Sequence, residues 1–437
     1  MSARSDGSNV IPTQEIAAKV LAEVERSRIS VKSAVQKLAG GFDYKVRGSV
    51  HAYSVETLKR LNAIDYFLKS TLKKFDGLDP FTRNLLRIAV YEMKYKGVHP
   101  ALATDSAVRI ARERGKASLV NAVLRKVEKL DIQAEGRLKE LSLTYFHPEW
   151  FVKYAIELLG EDGALKLMKA NLRNPPTYVR VNELKGSVES VREYLEKNGV
   201  ILEETFLDEV FRVKGYEKHP ASLDWHSEGK YVIQDLASCF VSHALNPSPG
   251  DVVIDLAAAP GMKTAHMAML MQNEGRIVAV DNSPSRVRRM RSKLKQLGVK
   301  NVEIKLGDGC VFECEADKAL VDAPCSSTGN YASQPNVKWT FDERKFRATM
   351  KVQRKMIANA LRNADEVVYA TCSITFEENE ENLLKTGAKI LPLPSPFGRG
   401  VREFRGVLFR DWEKVVRSFP HLHDTAGFFI SKLTRDG

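Results

Sequence analysis

Two of the five cysteines end runs that read as β-strands. Ala319-Leu-Val-Asp-Ala-Pro-Cys-Ser-Ser-Thr-Gly-Asn330 carries an apolar run into Asp322, Pro324 and Cys325, and Glu366-Val-Val-Tyr-Ala-Thr-Cys-Ser373 repeats the arrangement at Cys372. In open α/β sheets the ligand crevice lies at the carboxyl ends of the strands, and a turn of proline and small residues leaves an acid and a thiol reachable there. A single cysteine at a strand end is ordinarily a small core residue; two strands ending alike point instead to thiolate chemistry. Cys239, Cys310 and Cys314 complete an odd set that lacks the paired short spacings of a zinc module. Neither a metal nor disulfides are expected, and free thiols suit a reducing, cytoplasmic setting.

Upstream, Val252-Val-Ile-Asp-Leu-Ala-Ala-Ala-Pro-Gly-Met-Lys-Thr264 reads as a strand, a small-residue turn and the start of a helix. Ala257, Ala258, Ala259, Pro260, Gly261 and Met262 would let backbone N–H groups approach a nucleoside ligand at the helix N-terminus. Neither the Gly-x-Gly-x-x-Gly spacing of dinucleotide sites nor a phosphate loop ending Gly-Lys-Ser/Thr is present, which disfavours NAD and ATP. A second strand, Arg276 to Asp281, ends in an acid suited to two ribose hydroxyls, and a third, Val302 to Leu306, leads to Asp308, which could accept from an adenine amino group. Either aspartate alone would read as a turn former; in series they indicate S-adenosylmethionine.

Stepping these residues into place takes more chain than one domain. At 437 residues, two or three domains are expected, each long enough to bury a core. From Thr13, as a plausible N-cap, Ile16, Val20, Leu21 and Val24 recur at helical spacing, and similar periodicity over Leu58 to Phe75 and Phe81 to Tyr95 predicts an all-α bundle behind a frayed tail at residues 1–12. Residues 131–150 read as a polar connector. The division predicted is 1–135, all-α; 140–228, a small α+β unit; and 229–437, a Rossmann-like α/β domain. Residues 1–130 hold 24 Lys and Arg against 13 Asp and Glu, while the other 307 residues hold 43 against 42. That excess in the front third suits either a solvated helical face or attraction to nucleic-acid phosphates. No apolar run approaches the roughly eighteen residues that cross a bilayer, and no charged-then-apolar leader opens the chain, so a cytoplasmic protein with no membrane partner is expected; a monomer is expected as well.

Arg83-Asn-Leu-Leu-Arg-Ile-Ala-Val-Tyr-Glu-Met93, His99-Pro-Ala101 and Leu119-Val-Asn-Ala-Val-Leu-Arg125 resemble the NusB family of RNA-binding helical domains. Asn121 could cap or cross-link helices there, and Arg83, Arg87, Arg109, Arg112, Arg114 and Arg125 could form a cationic face. Asn171-Leu-Arg-Asn-Pro-Pro-Thr-Tyr-Val-Arg-Val-Asn182 resembles the entry segment of the RNA cytosine-5 methyltransferases of the NOL1/NOP2/Sun type, in which Arg180 and Asn182 either touch RNA or line a solvated strand. The run Asp255 to Thr264, Asp281, Asp308, Asp322-Ala-Pro-Cys-Ser326 and Thr371-Cys-Ser373 looks like that family's motif set, and the layout, front end included, is similar to its RsmB/Sun/Fmu group of ribosomal RNA enzymes. The resemblance implies that Cys372 attacks carbon 6 of a flipped cytosine, that Cys325 assists release, and that Asp322 reads the base while lying beside the cofactor. It also implies that Lys263 anchors the cofactor carboxylate and lies at the RNA. Ala257 and Met262 depart from the family's usual cysteine and glycine, and Met262 would narrow the approach to the methionyl part of the cofactor. The RNA is expected to be ribosomal, with transfer RNA or a noncatalytic role in assembly as alternatives.

Overall fold

The computed structural model describes residues 12–435, so the tail expected over residues 1–12 lies, Pro12 aside, outside the described residues. The chain forms two compact units. One holds the described residues up to Leu172 together with Tyr331–Thr340; the other holds Arg173–Asn330 and the described residues from Phe341 onward. Among the described residues no helix is long and apolar enough to cross a membrane.

The first unit is helical: α1 (Thr13–Ser27), α2 (Val31–Ala39), α3 (Tyr44–Lys59), α4 (Leu61–Thr71), α5 (Pro80–Lys94), α6 (Pro100–Arg112), α7 (Ala117–Glu128), α8 (Arg137–Thr144) and α9 (Glu149–Leu172). Their starts follow local chemistry. Ser30, Asp43 and Asp79 accept from backbone N–H groups of the first turn, and Pro80 occupies a first-turn position where no N–H is needed. Pro12, not Thr13, stands at the cap of α1 and makes no side-chain cap. The apolar stripe of α1 (Ile16, Val20, Leu21, Val24) is buried in one core with Leu85, Leu86 and Ile88 of α5. The connector expected over 131–150 is partly helical, because Leu141 and Leu143 give α8 a side to bury.

The cationic face expected on this unit is smaller than its arginine count. Arg87 is buried between Asp65 and Glu25, Arg83 pairs with Glu25 at 2.8 Å, Arg109 with Asp105 at 3.3 Å, and Arg114 lies over the Phe81 ring. Only Arg112 and Arg125 of the six are exposed without a partner among the described residues, and Asn121 neither caps nor cross-links.

The second unit opens with β1 (Thr177–Val181), α10 (Val188–Lys197), β2 (Val200–Glu204), β3 (Val210–Tyr216), α11 (Asp224–Ser227) and β4 (Tyr231–Ile233), whose strands pair antiparallel in the order β2-β3-β1-β4. There follow α12 (Leu236–Leu245), β5 (Val252–Asp255), α13 (Met262–Leu270), β6 (Arg276–Asp281), α14 (Pro284–Gln296), β7 (Val302–Leu306), β8 (Ala316–Asp322), α15 (Glu343–Asn363) and β9 (Ala364–Thr371). The chain ends in α16 (Glu380–Thr386), β10 (Lys389–Leu391), β11 (Gly398–Arg399), β12 (Glu403–Phe404), β13 (Val407–Leu408), β14 (Val416–Ser418), α17 (Pro420–His423) and β15 (Phe428–Thr434). The large sheet runs β11-β14-β15-β9-β8-β5-β6-β7, with β10 on β15 and β12-β13 a separate ribbon. Strands β5 to β9 are parallel, and β15 adds antiparallel to β9. Helices cover this sheet, so its parallel strands read as unbroken apolar runs such as Val252-Val-Ile254.

Candidate active site

Strand register brings the two thiols together. β8 and β9 are adjacent and parallel with Asp322 opposite Ala370, and the Ala323 N–H donates to the Ala370 carbonyl at 3.0 Å. Both chains then leave the sheet at its carboxyl edge, and Cys325 Sγ lies 3.3 Å from Cys372 Sγ. The loop after Cys325 is held tightly. The Gly329 N–H donates to the Cys372 carbonyl at 3.0 Å, and the Gly427 N–H donates to the Gly329 carbonyl at 2.9 Å. A methyl group on Gly329 would run into the Gly427 backbone, so this close approach needs glycine. Ser327, in the left-handed region at φ 55°, turns its hydroxyl to 3.5 Å from Cys372 Sγ.

The electrostatics separate the two sulfurs. A hydrogen bond from Cys325 lowers the Cys372 pKa below the usual thiol range against the cost of burial, with Ser327 and the nearby Lys263 charge adding to it. The same hydrogen bond, with burial and the Glu378 carboxylate, holds Cys325 protonated well above that range. The Lys263 ammonium, in the first turn of α13, donates to Asp322 Oδ2 at 2.7 Å and lies 5.4 Å from the centre of the Phe428 ring. Burial disfavours its charge, but Asp322 outweighs that and raises its pKa.

The carboxylates of the upstream strands stand along the same edge. Asp281 accepts from the Ser283 and Ala259 N–H groups at 3.0 and 3.3 Å and pairs with Arg286 at 3.1 Å, so it also fastens the small-residue turn. Exposed Asp308 closes its own turn through the Cys310 N–H at 2.9 Å. Each aspartate thus makes the turn contact expected of it alone while standing at a strand end. Met262 packs against the cluster containing Ala258, Ala259 and Val287. Buried Asp255 accepts from the Thr264 hydroxyl on Oδ2, while its Oδ1 has no partner; burial first, and then the Asp322 charge, push its pKa up to about 7. A turn of small residues and carboxylates at successive strand ends, one oxygen of them buried and unmatched, fits a cationic, hydroxyl-bearing nucleoside such as S-adenosylmethionine better than a phosphate-bearing one.

Arg180 and Asn182 do not join this group. They are 1% and 2% exposed. Arg180 donates to Gln234 Oε1 at 2.9 Å, and Asn182 donates to the Gly229 and Leu297 carbonyls at 2.7 and 2.8 Å. Both are structural cross-links, which corrects their assignment to RNA: a buried polar side chain with its bonds made inside the protein cannot also meet a phosphate or a base.

Other residues carry the site without standing out in the sequence. Fully buried Glu378 accepts from the Ser326 N–H at 2.8 Å, the Ser326 hydroxyl at 2.5 Å, Gln353 at 3.1 Å and the Thr375 hydroxyl at 2.9 Å, bracing the Cys325 turn. It lies in the run Glu377-Glu-Asn-Glu-Glu381, which reads as a solvated surface, and nothing in that run marks Glu378 for burial. Away from the thiols, Glu209 Oε1 meets His243 Nε2 at 2.7 Å and His266 Nε2 at 3.0 Å. A cavity of about 860 Å³ opens at the amino ends of the strands between residues of both charges, among them Arg276, Asp317, Asp365 and Arg435, remote from the thiols along the strands.

Known proteins are similar to this chain in sequence and fold. The family model described as 16S rRNA methyltransferase RsmB/F matches residues 242–434, the NusB family matches 12–129, and an RsmF/B-like ferredoxin-like domain matches 147–215. A probable ribosomal RNA small subunit methyltransferase B of Bacillus subtilis (strain 168) is 29% identical over 450 residues, covering 97% of this chain and 99% of the relative. A tRNA (cytosine(72)-C(5))-methyltransferase of Pyrococcus horikoshii is 37% identical over 234 residues, covering 49% of this chain and 55% of the relative. The crystal structure of a methyltransferase homolog protein from Pyrococcus horikoshii superposes with a TM-score of 0.61 at 30% identity, covering 68% of this chain and 99% of that one. On these matches, the chain belongs to the RsmB/F family of RNA methyltransferases.

Proposed function

We propose that this chain uses S-adenosylmethionine to methylate carbon 5 of a cytosine in ribosomal RNA. The observation that carries the chemistry is the pair of thiols 3.3 Å apart, one favoured as a thiolate and the other held protonated. Carbon 5 of cytosine is a poor nucleophile, and adding a thiolate to carbon 6 loads electron density onto it. We assign that addition to Cys372. Asp322 takes the amino and N3 edge of the base, and the pairing of Lys263 with Asp322 supports a role for that lysine at the base as well as at the cofactor carboxylate. The backbone of residues 257–262 with Asp281 and Asp308 would hold S-adenosylmethionine, which supplies an electrophilic methyl group. Once carbon 5 is methylated, a base, water of the solvent being the simplest, takes its proton, the electron pair of that bond re-forms the carbon 5–carbon 6 double bond, and the bond from carbon 6 to Sγ breaks, restoring the Cys372 thiolate. Cys325, hydrogen-bonded to that sulfur at rest, assists the elimination. The target base must leave its stack for this chemistry.

Ribosomal RNA is favoured because the relative named for it aligns over 97% of this chain, helical front end included, whereas the tRNA relative covers 49%. In this reading residues 1–135 and 140–228 engage RNA and residues 229–437 perform the transfer. Transfer RNA is the second reading, supported by the higher identity of 37% over the shared half. A noncatalytic assembly factor would have no use for two opposed thiols.

Bisulfite sequencing of total RNA from cells with and without the gene tests substrate and reaction together. Loss of protection at one ribosomal cytosine is expected; loss at a tRNA position would move the substrate, and no loss anywhere would remove the enzyme reading. With purified protein, Cys372→Ala should abolish transfer and Cys325→Ala should accumulate a covalent protein–RNA adduct. Full activity in the first variant would sink the assignment of the nucleophile.

A further inference from the structure

Outside residues 1–130 the chain is almost neutral, yet α14 and the turn after it are not. From Pro284 to Val302 the sequence carries Arg286, Arg288, Arg289, Arg291, Lys293, Lys295 and Lys300 and no acidic residue. Val287, Met290 and Leu294 form the buried stripe of α14, so its helical period turns the cations outward. Arg286 is engaged with Asp281 and the Ala259 carbonyl, and Lys293 donates to Gln296. Arg288, Arg289, Arg291, Lys295 and Lys300 are exposed, and none has an acidic partner among the described residues.

A merely solvated helix would interleave Glu with Lys to gain i,i+4 pairs. Here Arg288 and Arg291 repel at i,i+3, Arg289 and Lys293 and likewise Arg291 and Lys295 repel at i,i+4, and Arg286 sits in the first turn, where the helix dipole opposes it. Such a face is relieved by a polyanion. Beside it, between the C-terminal half of α14 and the edge strand β7, lies a groove of about 470 Å³. Arg291, Lys295 and Lys300 form its rim, and Val299, Val302 and Ile304 its apolar floor. A rim of cations over an apolar floor matches a nucleotide strand, with phosphates at the rim and a base face on the floor; guanidinium groups bind phosphate in two-pronged fashion.

We propose that the outward face of α14 and this groove bind the sugar-phosphate backbone of a single-stranded segment of the substrate RNA. The inference rests on the RNA methyltransferase reading for the identity of the polyanion. Its test compares full-length protein with the triple variant Arg288→Gln, Arg291→Gln, Lys295→Gln, using a fluorescent single-stranded oligoribonucleotide over a range of salt concentrations. Each lost phosphate contact should flatten the plot of log affinity against log salt by about 0.7, so the triple variant should lose about 2 from its slope and at least about tenfold in affinity at low salt. Binding of S-adenosylmethionine and the melting temperature should be unchanged, which keeps a folding defect apart from a lost contact. Arg288→Lys with Arg291→Lys should retain the wild-type slope. An unchanged slope in the triple variant would overturn the proposal. Failure of the methyltransferase reading shows separately, as the absence of 5-methylcytosine in RNA treated with wild-type protein, whatever the slope does.

Discussion

Cys372 owes its low proton affinity first to the Cys325 hydrogen bond, with Ser327 and Lys263 behind it, while Cys310 and Cys314 have none of these. Burial and Asp308 push the Cys310 thiol up to about 11, and burial raises Cys314 as well. Limiting iodoacetamide at neutral pH should therefore alkylate Cys372 first, read as a single carbamidomethyl group by peptide mass spectrometry. In Cys325→Ala the pH midpoint for Cys372 alkylation should rise, because the largest stabiliser of the thiolate is gone; an unmoved midpoint would show that Ser327 and Lys263 suffice. At this scale the sequence was legible for side chains just past a strand end: Cys325 lies against Cys372, and Lys263, at the start of α13, lies against Asp322. It was opaque where a polar residue turned inward. Glu378 hides in an acidic run and Arg180 in a strand that reads as half-solvated, because whether a charge is buried depends on neighbours more than 50 residues away, Gln234 for one and Ser326 for the other.

The elements position the site through register and two tight joints. Parallel pairing of β8 with β9 sets Asp322 against Ala370, and the Gly329–Gly427 approach fixes the loop that returns past Cys372. Gly329→Ala should cost about 1–3 kcal/mol by overpacking. It should lower methyl transfer more than S-adenosylmethionine binding, because the displaced backbone is bonded to Cys372 and not to the 257–262 turn. The second joint is titratable. His266, fully buried on α13, has its pKa pushed down to about 3 by burial and then by Arg180, with Glu209 opposing. Its ordinary value is about 6.5, so between those values the unfolded chain binds a proton that the folded one refuses. Stability is lost as pH falls, by about 2 kcal/mol between pH 7 and pH 5. Asp255 does the reverse. Its folded pKa of about 7 exceeds the unfolded value, so the folded state gains as pH falls over the same window, by about the same amount. The wild-type melting temperature should thus change little from these two groups. His266→Gln should gain stability on acidification relative to wild type and Asp255→Asn should lose it, by thermal melts at pH 7 and pH 5. Two variants with the same pH slope would refute the linkage.

For the whole molecule, the alternation of strands and helices was readable, and so were the carboxyl-edge site and the helical front, because hydrophobic period records which face each element buries. What the sequence could not record is that the chain leaves the second unit after Asn330 and returns at Phe341, spending Tyr331–Thr340 in the first. Nothing in Tyr331-Ala-Ser-Gln-Pro-Asn-Val-Lys-Trp-Thr340 marks it as part of a helical core 200 residues upstream. Yet Tyr331 is buried with its ring 4.8 Å from Phe151, Lys338 is buried and donates to the Phe146 carbonyl at 3.3 Å, and Trp339 Nε1 donates to the Leu58 carbonyl at 2.7 Å while packing on the first unit's core. This excursion falls between Cys325 and the helix that precedes Cys372, so a piece of the first unit's core is supplied from within the second unit's stretch of sequence. Trp339 is half-buried, so Trp339→Ala should cost about 2–3 kcal/mol, below the roughly 3–5 kcal/mol of a fully buried tryptophan. The loss should fall on the first unit. Two units with separate cores should melt as two transitions, and S-adenosylmethionine, which we propose binds the second, should raise one of them. Scanning calorimetry of wild type and Trp339→Ala with saturating S-adenosylmethionine should show the ligand-insensitive transition falling while the ligand-sensitive one stays. A fall confined to the ligand-sensitive transition would mean that residues 331–340 stabilise the unit their sequence neighbours belong to.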